Sequence, residues 1–477
     1  MADQKRWVFL LFSCLTIFGV EWLVDETSIL ASRFSGTAPD CFQRNGSDTT
    51  CLNMNNAEFN ALYVAHNWAG TVVALCTGFF VTRYGVYNVS MVTSALLLAG
   101  MILFTVGPYC SATSAAFAVM MVGRLVFGCG YWGNVVVSHQ VKSHWFFGKE
   151  LAVAFGLYSG SFRLSSIVTY ASIGSIVEKY GMQTTMWIVF AIALSGPVCA
   201  VTAGWYYRQY AEQSMDRSLW STARSHPGTA VALVKQLNRQ YWMIALFLLT
   251  FYGTVLSVIS DFPKFLIEAR ENTETAAGLI SGIIADIAMF SPLIAIITDR
   301  YGWRDIQMLT ASSLLFLAFL GMDLIPGFNA ILFCVLVGLS YAFMSACVWS
   351  GVVVTTTPST VGVAMGLATS LQSFGAGLFM LIGGFILDAS SNSLQNKWVN
   401  FYVLLTCTVS LSLVAAVTAW YLDRNTVLKP LRSKYSTAIP AVAAEMNEEV
   451  NECSPITRDG GRSGISSRSS LPLLILP

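Results

Sequence analysis

Residues 78–85 read Gly-Phe-Phe-Val-Thr-Arg-Tyr-Gly, and residues 295–302 read Ala-Ile-Ile-Thr-Asp-Arg-Tyr-Gly. Each stretch ends a long apolar run with the same Arg-Tyr-Gly. About 20 apolar residues are needed to cross the hydrocarbon core of a bilayer. By that measure the first stretch ends the second predicted membrane helix, and the other ends the eighth. Their matched positions predict two halves of six helices each.

The rest of the chain follows the same pattern of apolar runs separated by polar loops. Of the 477 residues, 55% are hydrophobic and 11% are charged, which is more apolar than a soluble domain. We therefore predict an all-α membrane protein with twelve transmembrane helices in two six-helix bundles. The predicted helices cover about residues 7–30, 58–81, 88–107, 115–141, 151–176, 184–206, 241–266, 275–298, 306–325, 329–356, 362–387 and 399–421.

Polar segments mark the predicted domain boundaries. The amino-terminal bundle covers residues 1–207 and carries a glycosylated loop at 31–57. A cytoplasmic connector covers 208–240, and the carboxy-terminal bundle covers 241–423. Residues 424–477 are rich in Ser, Gly and Pro, and we predict that they form a disordered cytoplasmic tail.

Several classes of function have no basis in the sequence. The net charge of +1 provides no strong field for nucleic acid. There is no Gly-rich phosphate loop, Ser/His/Asp set or HExxH motif, so we predict neither ATP hydrolysis nor another enzymatic activity. His139 and His144 have no partner at metal-ligand spacing, so we predict no metal and no cofactor.

The distribution of Lys and Arg predicts the orientation in the membrane. These residues accumulate on the cytoplasmic side, and most of them fall there if both termini are cytosolic. The sequon that begins at Asn45 then lies on the opposite, glycosylating face, which agrees with this orientation. Cys41 and Cys51 lie on either side of the sequon, and they form a disulfide there or remain free.

Charged residues inside the apolar runs are the main candidates for a functional site, because they are costly in hydrocarbon. At a rise of 1.5 Å per residue, Glu21 and Arg163 lie roughly 21 and 18 Å from the cytosolic ends of their helices, so their depths match. We predict that Arg163 binds the carboxylate of a solute, since a planar guanidinium suits such a group. Glu21 would carry a proton. The alternative is a structural ion pair between the two.

Other polar residues in the apolar runs have two interpretations each. Asp25 would help an outer gate or cap a helix break. His66 would line the cavity or titrate, or it would be a structural hydrogen-bonding group. Asp286 is the candidate site or proton group of the second half, with a buried, hydrogen-bonded carboxyl as the alternative. Four aromatic residues would contact apolar parts of the solute or simply pack: Trp132, Tyr158, Tyr341 and Trp349.

Charged residues at the cytoplasmic helix ends are candidates for gating. An arginine such as Arg83 or Arg300, near a helix carboxy terminus and an acid such as Asp299, can latch that face in one state. A charged helix stop would explain either loop alone, but it explains the matched pair less well. Lys149 and Glu150 would anchor a cytoplasmic loop to the opposite half, or they would lie in solvent.

A parallel repeat of six helices with this loop resembles the major facilitator superfamily over nearly the whole chain. Within it, parts of the first, fourth, fifth, tenth and eleventh helices are similar to the lysosomal dipeptide transporters. The residues that carry this narrower resemblance are Phe18, Gly19, Asp25, Gly123 to Gly130, Trp145 to Leu151, Phe155 to Leu157, Arg163, Gly338 to Tyr341, Trp349, Gly362, Gly366, Ser370 to Gln372, and Gly384 to Asp388.

The resemblance implies facilitated movement of short peptides out of a lysosome-like compartment, with a heavily glycosylated accessory membrane protein as partner. It places Gln372 among the substrate-binding candidates. It also places Arg124 where superfamily members often couple protons to transport, although Arg124 would equally suit donation to backbone carbonyls. The sequence departs from the family at Trp132, where the family carries a Glu for the peptide amino group, and at Ser373, where it carries an Asn. Glu21 would supply the missing negative charge.

Three functions remain open from the residues and the resemblance together. The first is a uniporter of short peptides in the lysosomal membrane. The second is a plasma-membrane carrier of amino acids or monocarboxylates, which Arg163 would suit equally well. The third is a transport-inactive scaffold or sensor, which is disfavoured because buried Glu21, Arg163 and Asp286 would then only destabilise the protein.

Overall fold

The computed structural model describes the membrane-spanning part of the chain and several of its connections. Within the described part the chain is helical and contains no strand. The described residues are 2–34, 51–54, 56–110, 112–146, 150–214, 230–270, 274–325, 327–357, 360–389, 394–426 and 429–433.

Twelve helices in this part are long and apolar enough to cross a membrane, which confirms the predicted number and the all-α class. Several exceed the predicted apolar runs because polar residues extend them at their ends. The first half contains α1 Ala2–Ile29, α2 Asn56–Tyr84, α3 Val86–Val106, α4 Thr113–Phe146, α5 Leu151–Tyr180, and α6 in two segments, Met182–Ala193 and Ser195–Ser214. The second half contains α7 Arg239–Arg270, α8 in two segments, Glu274–Ala288 and Ser291–Tyr301, then α9 Arg304–Leu324, α10 Ala330–Val354, α11 Val361–Ala389 and α12 Leu394–Asn425.

The two repeated loops have the same backbone at their final glycine. Gly85 follows α2 with φ 84°, and Gly302 follows α8 with φ 80°. A residue with a side chain rarely adopts this left-handed conformation, whereas glycine does so readily. The shared Arg-Tyr-Gly is therefore a helix ending that lets the chain turn at once into the next helix.

The helices of the two halves pack in the same pairs. In the first half α1 packs on α5 and α6, α2 on α4, and α3 on α4 and α6. In the second half α7 packs on α11 and α12, α8 on α10, and α9 on α10 and α12. Adding six to each helix number of the first set gives the second set, so the sequence repeat is also a structural repeat.

Two seams join the halves, one between α2 and α11 and one between α5 and α8. Both are tightly closed on the side of the membrane where α1 begins, which we call the N-side. A Cβ built on Gly78 of α2 would lie 2.5 Å from the carbonyl oxygen of Gly362 in α11. A Cβ on Gly156 of α5 would lie 3.1 Å from Cα of Pro292 in α8. Backbone approach at glycine therefore closes the N-side of each seam.

The same seams open toward the opposite side of the membrane, which we call the far side. Gly174 lies on the face of α5 that carries Gly156, and no described atom lies within 4 Å of a Cβ built there. Gly384, five turns beyond Gly366 on the same face of α11, is equally free of neighbours. Tyr170, one turn before Gly174, is 55% exposed. The protein is closed on the N-side and parted on the far side.

A short segment of the predicted tail packs against the second half. Leu431 is fully buried, and its amide donates to the Asp423 carboxylate over 2.9 Å. The amide of Arg304 in turn donates to the Leu431 carbonyl over 3.0 Å. The prediction of disorder from residue 424 onward therefore does not hold for residues 429–433, because tertiary contacts outweigh their polar composition.

Candidate solute-binding site

Glu21 of α1 lies deep in the first half and is held by a tyrosine. Its side chain is 2% exposed, and the Tyr131 hydroxyl of α4 donates to its Oε2 over 2.9 Å. Glu21 lies within electrostatic reach of both Arg163 and Arg124. The carboxylate is thus oriented by a neutral donor and surrounded by positive potential.

Arg163 of α5 lies between the two halves. Its guanidinium carbon is 4.2 Å from the ring centroid of Tyr341, which belongs to α10 of the second half. On its own helix it is 4.5 Å from the ring centroid of Phe162. The side chain is 8% exposed, and no described residue accepts a hydrogen bond from it. Aromatic contact thus stabilises the cation, while its N–H donors stay available for an acceptor with two oxygens.

Glu21 and Arg163 lie at one level, as their depths predicted, but they do not form a direct ion pair with each other. The structural ion pair considered as an alternative is therefore absent between these two described residues. The physical reason is that each side chain has another partner, Tyr131 for Glu21 and the ring of Tyr341 for Arg163. Two opposite charges remain separate in the membrane interior, where both can meet a third, zwitterionic group.

An aromatic group from the second half faces Arg163. The rings of Tyr252 in α7 and Tyr341 are perpendicular, with centroids 5.8 Å apart. Tyr252 also lies close to Trp349 and within electrostatic reach of Arg163. Tyr341 and Trp349 were predicted from sequence. Tyr252 was missed, because one tyrosine in an apolar helix is not distinguishable from a packing residue.

Further acids of α1 gather around Arg124. The guanidinium of Arg124 donates to the Leu23 carbonyl over 3.1 Å and lies 4.2 Å from the Phe104 ring centroid. Asp25 is hydrogen-bonded to Ser166 and lies within reach of both arginines. Glu26, fully buried, was not singled out from the sequence, and its oxygens have no hydrogen-bond partner among the described residues. Arg124 is thus a backbone donor in this state and also balances several acids.

Trp132 and His66 line the wall of the first half. The His66 ring lies 6.0 Å from the Trp132 ring and 5.0 Å from the Tyr131 ring. Gly70 packs directly on the Trp132 indole, with no room for a side chain. Trp132 therefore fills the space between α2 and α4, and the negative charge at this level comes from Glu21.

A cationic side chain that was not predicted from the sequence lies on the N-side of the site. Lys142 of α4 is fully buried, and its Nζ lies 3.0 Å from the ring centroid of Tyr158. His139, one turn earlier, packs against Trp349 of α10 with ring centroids 4.2 Å apart. Lys142 lies in a largely polar stretch, Ser138 to His144, near a helix end, where a lysine usually reaches the interface, so no sequence signal set it apart.

Two other predicted site residues lie apart from this group. Asp286 is exposed, two turns after Leu279, which is 73% exposed, on the same face of α8. Gln372 of α11 is buried, and its carbonyl oxygen has no donor among the described residues. The structure shows no contact of either with Glu21 or Arg163, and their roles stay predictions.

Asp299, the acid of the second repeated loop, makes a direct contact between the halves on the N-side. The carboxylate of Asp299, at the end of α8, accepts from the amides of Ala152 and Val153 over 2.9 and 2.8 Å. These amides are the first of α5, so the acid of one half caps a helix of the other. Arg304 lies 4.0 Å from Asp299 and adds positive charge.

The arginines of the two loops behave alike. Arg83 and Arg300 are exposed, and the guanidinium of each lies 5.6 Å from the ring of the tyrosine that follows it. Glu150 pairs with Arg6 over 2.7 Å. Arg6 belongs to the same half, so this contact does not join Glu150 to the opposite half, as the sequence suggested. The reason is that α1 begins beside the short loop between α4 and α5.

Several predictions fall outside the described residues, namely those on Lys149, Asn45 and Cys41. Cys51 is disulfide-bonded, and its pairing with Cys41 stays a prediction. Within the described ranges, no group of three or more His, Cys, Asp or Glu side chains could hold a metal ion.

The chain has twelve membrane helices in two repeated halves, buried charges between the halves, and seams that are closed on one side. This architecture is typical of secondary transporters. The family model of the Major Facilitator Superfamily matches residues 8–380. The chain therefore belongs to the major facilitator superfamily; it is a multi-pass membrane transporter of small molecules and not an enzyme.

Among curated proteins the chain is similar to the "Lysosomal dipeptide transporter MFSD1" of several vertebrates. The protein from Danio rerio is 27% identical over 397 residues, covering 80% of this chain and 81% of the relative. The protein from Homo sapiens is 25% identical over 434 residues, covering 88% of this chain and 86% of the relative.

Solved structures of the superfamily share the fold. A bacterial homologue of the iron transporter ferroportin superimposes with a TM-score of 0.67 at 13% identity, covering 88% of this chain and 99% of that one. The proton:xylose symporter XylE superimposes with a TM-score of 0.62 at 13% identity, covering 90% and 97%. At such identity the likeness concerns the fold alone.

Proposed function

We propose that this chain carries short peptides, dipeptides foremost, down their gradient out of a lysosome-like compartment. The observation that carries the proposal is Arg163, which is buried between the halves at the level of Glu21 and to which no described residue offers a hydrogen-bond acceptor. A buried cation without an acceptor is unfavourable unless a ligand supplies one. A solute carboxylate supplies two acceptor oxygens in one plane.

The other end of a zwitterionic solute would meet the acids of α1. Glu21 and Asp25 lie one turn apart, both within reach of Arg163. An ammonium group placed there would offset negative charge, as the carboxylate offsets the positive charge of Arg163. Trp132 stands where the family has an acid for the peptide amino group, and it makes packing contacts there. Glu21 therefore replaces that acid. The names of the similar vertebrate proteins favour a dipeptide as the solute.

The conformation suits loading from the far side. Both seams are parted there and closed on the N-side. The distribution of Lys and Arg favours a cytosolic N-side, so the far side would be the lumen of an acidic organelle. A heavily glycosylated accessory membrane protein is the partner proposed for that lumenal face.

Transport by purified protein in liposomes tests the proposal. We would compare a dipeptide panel, the same dipeptides with an amidated carboxy terminus, single amino acids and monocarboxylates. We expect saturable uptake of dipeptides that amidation reduces at least tenfold. Equal transport of amidated peptides would contradict the role of Arg163. Uptake of amino acids or monocarboxylates without peptides would instead support the plasma-membrane carrier, and inactivity with all of them would support a scaffold.

A further inference from the structure

A second buried cation lies on the N-side of Arg163. The Nζ of Lys142 lies 3.0 Å from the ring centroid of Tyr158 and 5.0 Å from that of Phe155. Lys142 has no exposed surface, and its Nζ has no hydrogen-bond partner among the residues that the structure describes. Two aromatic faces return only part of the hydration that an ammonium group loses on burial. An anion beside this nitrogen would stabilise its charged form.

In the described part of the chain, no carboxylate lies within electrostatic reach of Lys142. From α1 the titratable group within reach is the thiol of Cys14. From α4 it is His139, whose Nδ1 has no hydrogen-bond partner within the described ranges either. From α5 it is the Tyr158 ring, and Trp349 of α10 covers His139. We call Lys142, His139, Tyr158 and Trp349 the Lys142 cluster.

The Lys142 cluster is continuous with the candidate solute site. Tyr158 lies within electrostatic reach of Glu21. It precedes Arg163 by five residues on α5, which places it about 7.5 Å nearer the N-side. Trp349 lies close to Tyr252, which packs on the Tyr341 ring beside Arg163. A solute that leaves Arg163 toward the N-side would therefore pass Tyr158 and meet the ammonium of Lys142.

The Lys142 cluster contains side chains from both halves. Lys142, His139 and Tyr158 belong to the first half, whereas Trp349 belongs to the second. Alternating access requires the halves to separate on the N-side, where the seams are now closed. That separation moves Trp349 away from His139. The same separation exposes the Lys142 ammonium to the N-side half of the pathway, beyond Arg163.

We propose that Lys142 is a transit site for the carboxylate of the carried solute, occupied when the N-side is open and after Arg163 has released it. This inference rests on the proposed function, because it assumes a solute with a carboxylate. In the present state Trp349 and the aromatic rings seal the site. In the N-side-open state the solute carboxylate supplies an anion at this site, and release into the N-side compartment completes the cycle.

Exchange assays in vesicles of defined orientation test the inference with Lys142→Met and Lys142→Arg. The vesicles hold labelled dipeptide, and unlabelled dipeptide is titrated from one side at a time. In Lys142→Met we expect the half-saturating concentration from the N-side to rise at least fivefold, with less than a twofold change from the far side. Lys142→Arg should restore the half-saturating concentration from the N-side to within about twofold of that of the unaltered protein. With an amidated dipeptide, Lys142→Met and the unaltered protein should show the same N-side saturation.

Lys235→Met is the matched control, since Lys235 is exposed on the N-side and its loss removes the same charge. An N-side half-saturation unchanged in a folded Lys142→Met protein would overturn the inference. So would equal shifts from both sides, which indicate a structural role. If replacing chloride by gluconate shifts the N-side half-saturating concentration of the unaltered protein but not that of Lys142→Met, the anion is chloride, and the assignment to the solute is wrong.

The inference and the proposed function fail in different ways. If the unaltered protein carries no peptide but carries another carboxylate, the peptide proposal fails, and the Lys142 comparison is made on that solute. If it carries peptides and Lys142→Met shows no N-side shift, only the inference fails. If it carries no carboxylate solute at all, both are overturned.

Discussion

Arg163 shows how one side chain can be stabilised in the membrane and still remain available to a ligand. Its planar face rests on Tyr341 of the other half, and its N–H groups have no acceptor among the described residues. Lysine could not reproduce this arrangement, because an ammonium has neither the planar face nor the paired donors. The identity of residue 163 should therefore matter beyond its charge.

We expect Arg163→Ala to reduce dipeptide uptake to background and Arg163→Lys to reduce kcat/KM at least tenfold. A tenfold change corresponds to about 1.4 kcal/mol, which is a modest fraction of the interaction energy of a desolvated, doubly hydrogen-bonded charge pair. Liposome uptake at varied solute concentration measures the effect. Arg83→Lys, an exposed arginine on the N-side surface, serves as control and should retain uptake. Full activity of Arg163→Lys would refute paired recognition of the carboxylate.

At the scale of helices, the N-side is held closed by two different devices. Asp299 caps the start of α5 across the α5–α8 seam. Across the α2–α11 seam, Gly78 and Gly366 let the backbones approach, and the Ser370 hydroxyl donates to the Thr71 carbonyl. One device is electrostatic and the other is steric, so they should respond differently to substitution.

Asp299→Asn should favour the N-side-open state. Hydrogen bonds to a charged acceptor contribute roughly 1.5–3 kcal/mol each, and neutral ones less, so we expect the open population to rise about tenfold. Labelling of Ala152→Cys by a membrane-impermeant maleimide from the N-side measures this population. Arg300→Gln, which alters the charge of the neighbouring exposed residue, should leave the labelling rate unchanged. Equal labelling in Asp299→Asn and the unaltered protein would show that the cap does not hold the seam.

Gly78→Leu should prevent closure of the α2–α11 seam and abolish transport without preventing folding. The added side chain would meet backbone atoms of Gly362 and Gly366, which have no rotamer to move aside. Gly384→Ala is the matched control, because this position of α11 faces open space and should keep its activity. Uptake and monodispersity of both purified variants are the measurements. Normal transport by Gly78→Leu would mean that the seam closes by another route.

At the scale of the molecule, the twelve helices, their repeated pairing and the one-sided closure describe one state of a transport cycle. The helix pairs of the first half recur in the second, so each seam has a counterpart that should open and close with it. Direction in the cell then depends on which compartment the far side faces.

Glycosylation tests the predicted orientation, in which both termini and the N-side are cytosolic. We expect the protein from cells to lose mass on glycosidase treatment, and Asn45→Gln to abolish that loss, because the loop at 31–57 would face the lumen. Asn88→Gln is the control, since Asn88-Val89-Ser90 is a second sequon at the N-side start of α3. Its substitution should change nothing. A glycosidase shift that depends on Asn88 would reverse the orientation.

The sequence by itself determined the number of helices, the two matched halves and the depth of Glu21 and Arg163. These follow from local properties, because the length of an apolar run and the rise of a helix set where a residue lies in the membrane. The shared Arg-Tyr-Gly marked the repeat, but its arginines did not reveal the latch.

Only the tertiary structure decided which side chains meet. Asp299 binds amides 147 and 146 positions away in the chain, and Arg163 rests on Tyr341 of the other half. Lys142 is confined by rings from α5, and Asp286 is exposed on its helix. Helical periodicity tells which residues share a face, but the packing of helices, set by close contacts such as Gly78 on Gly366, decides what that face touches.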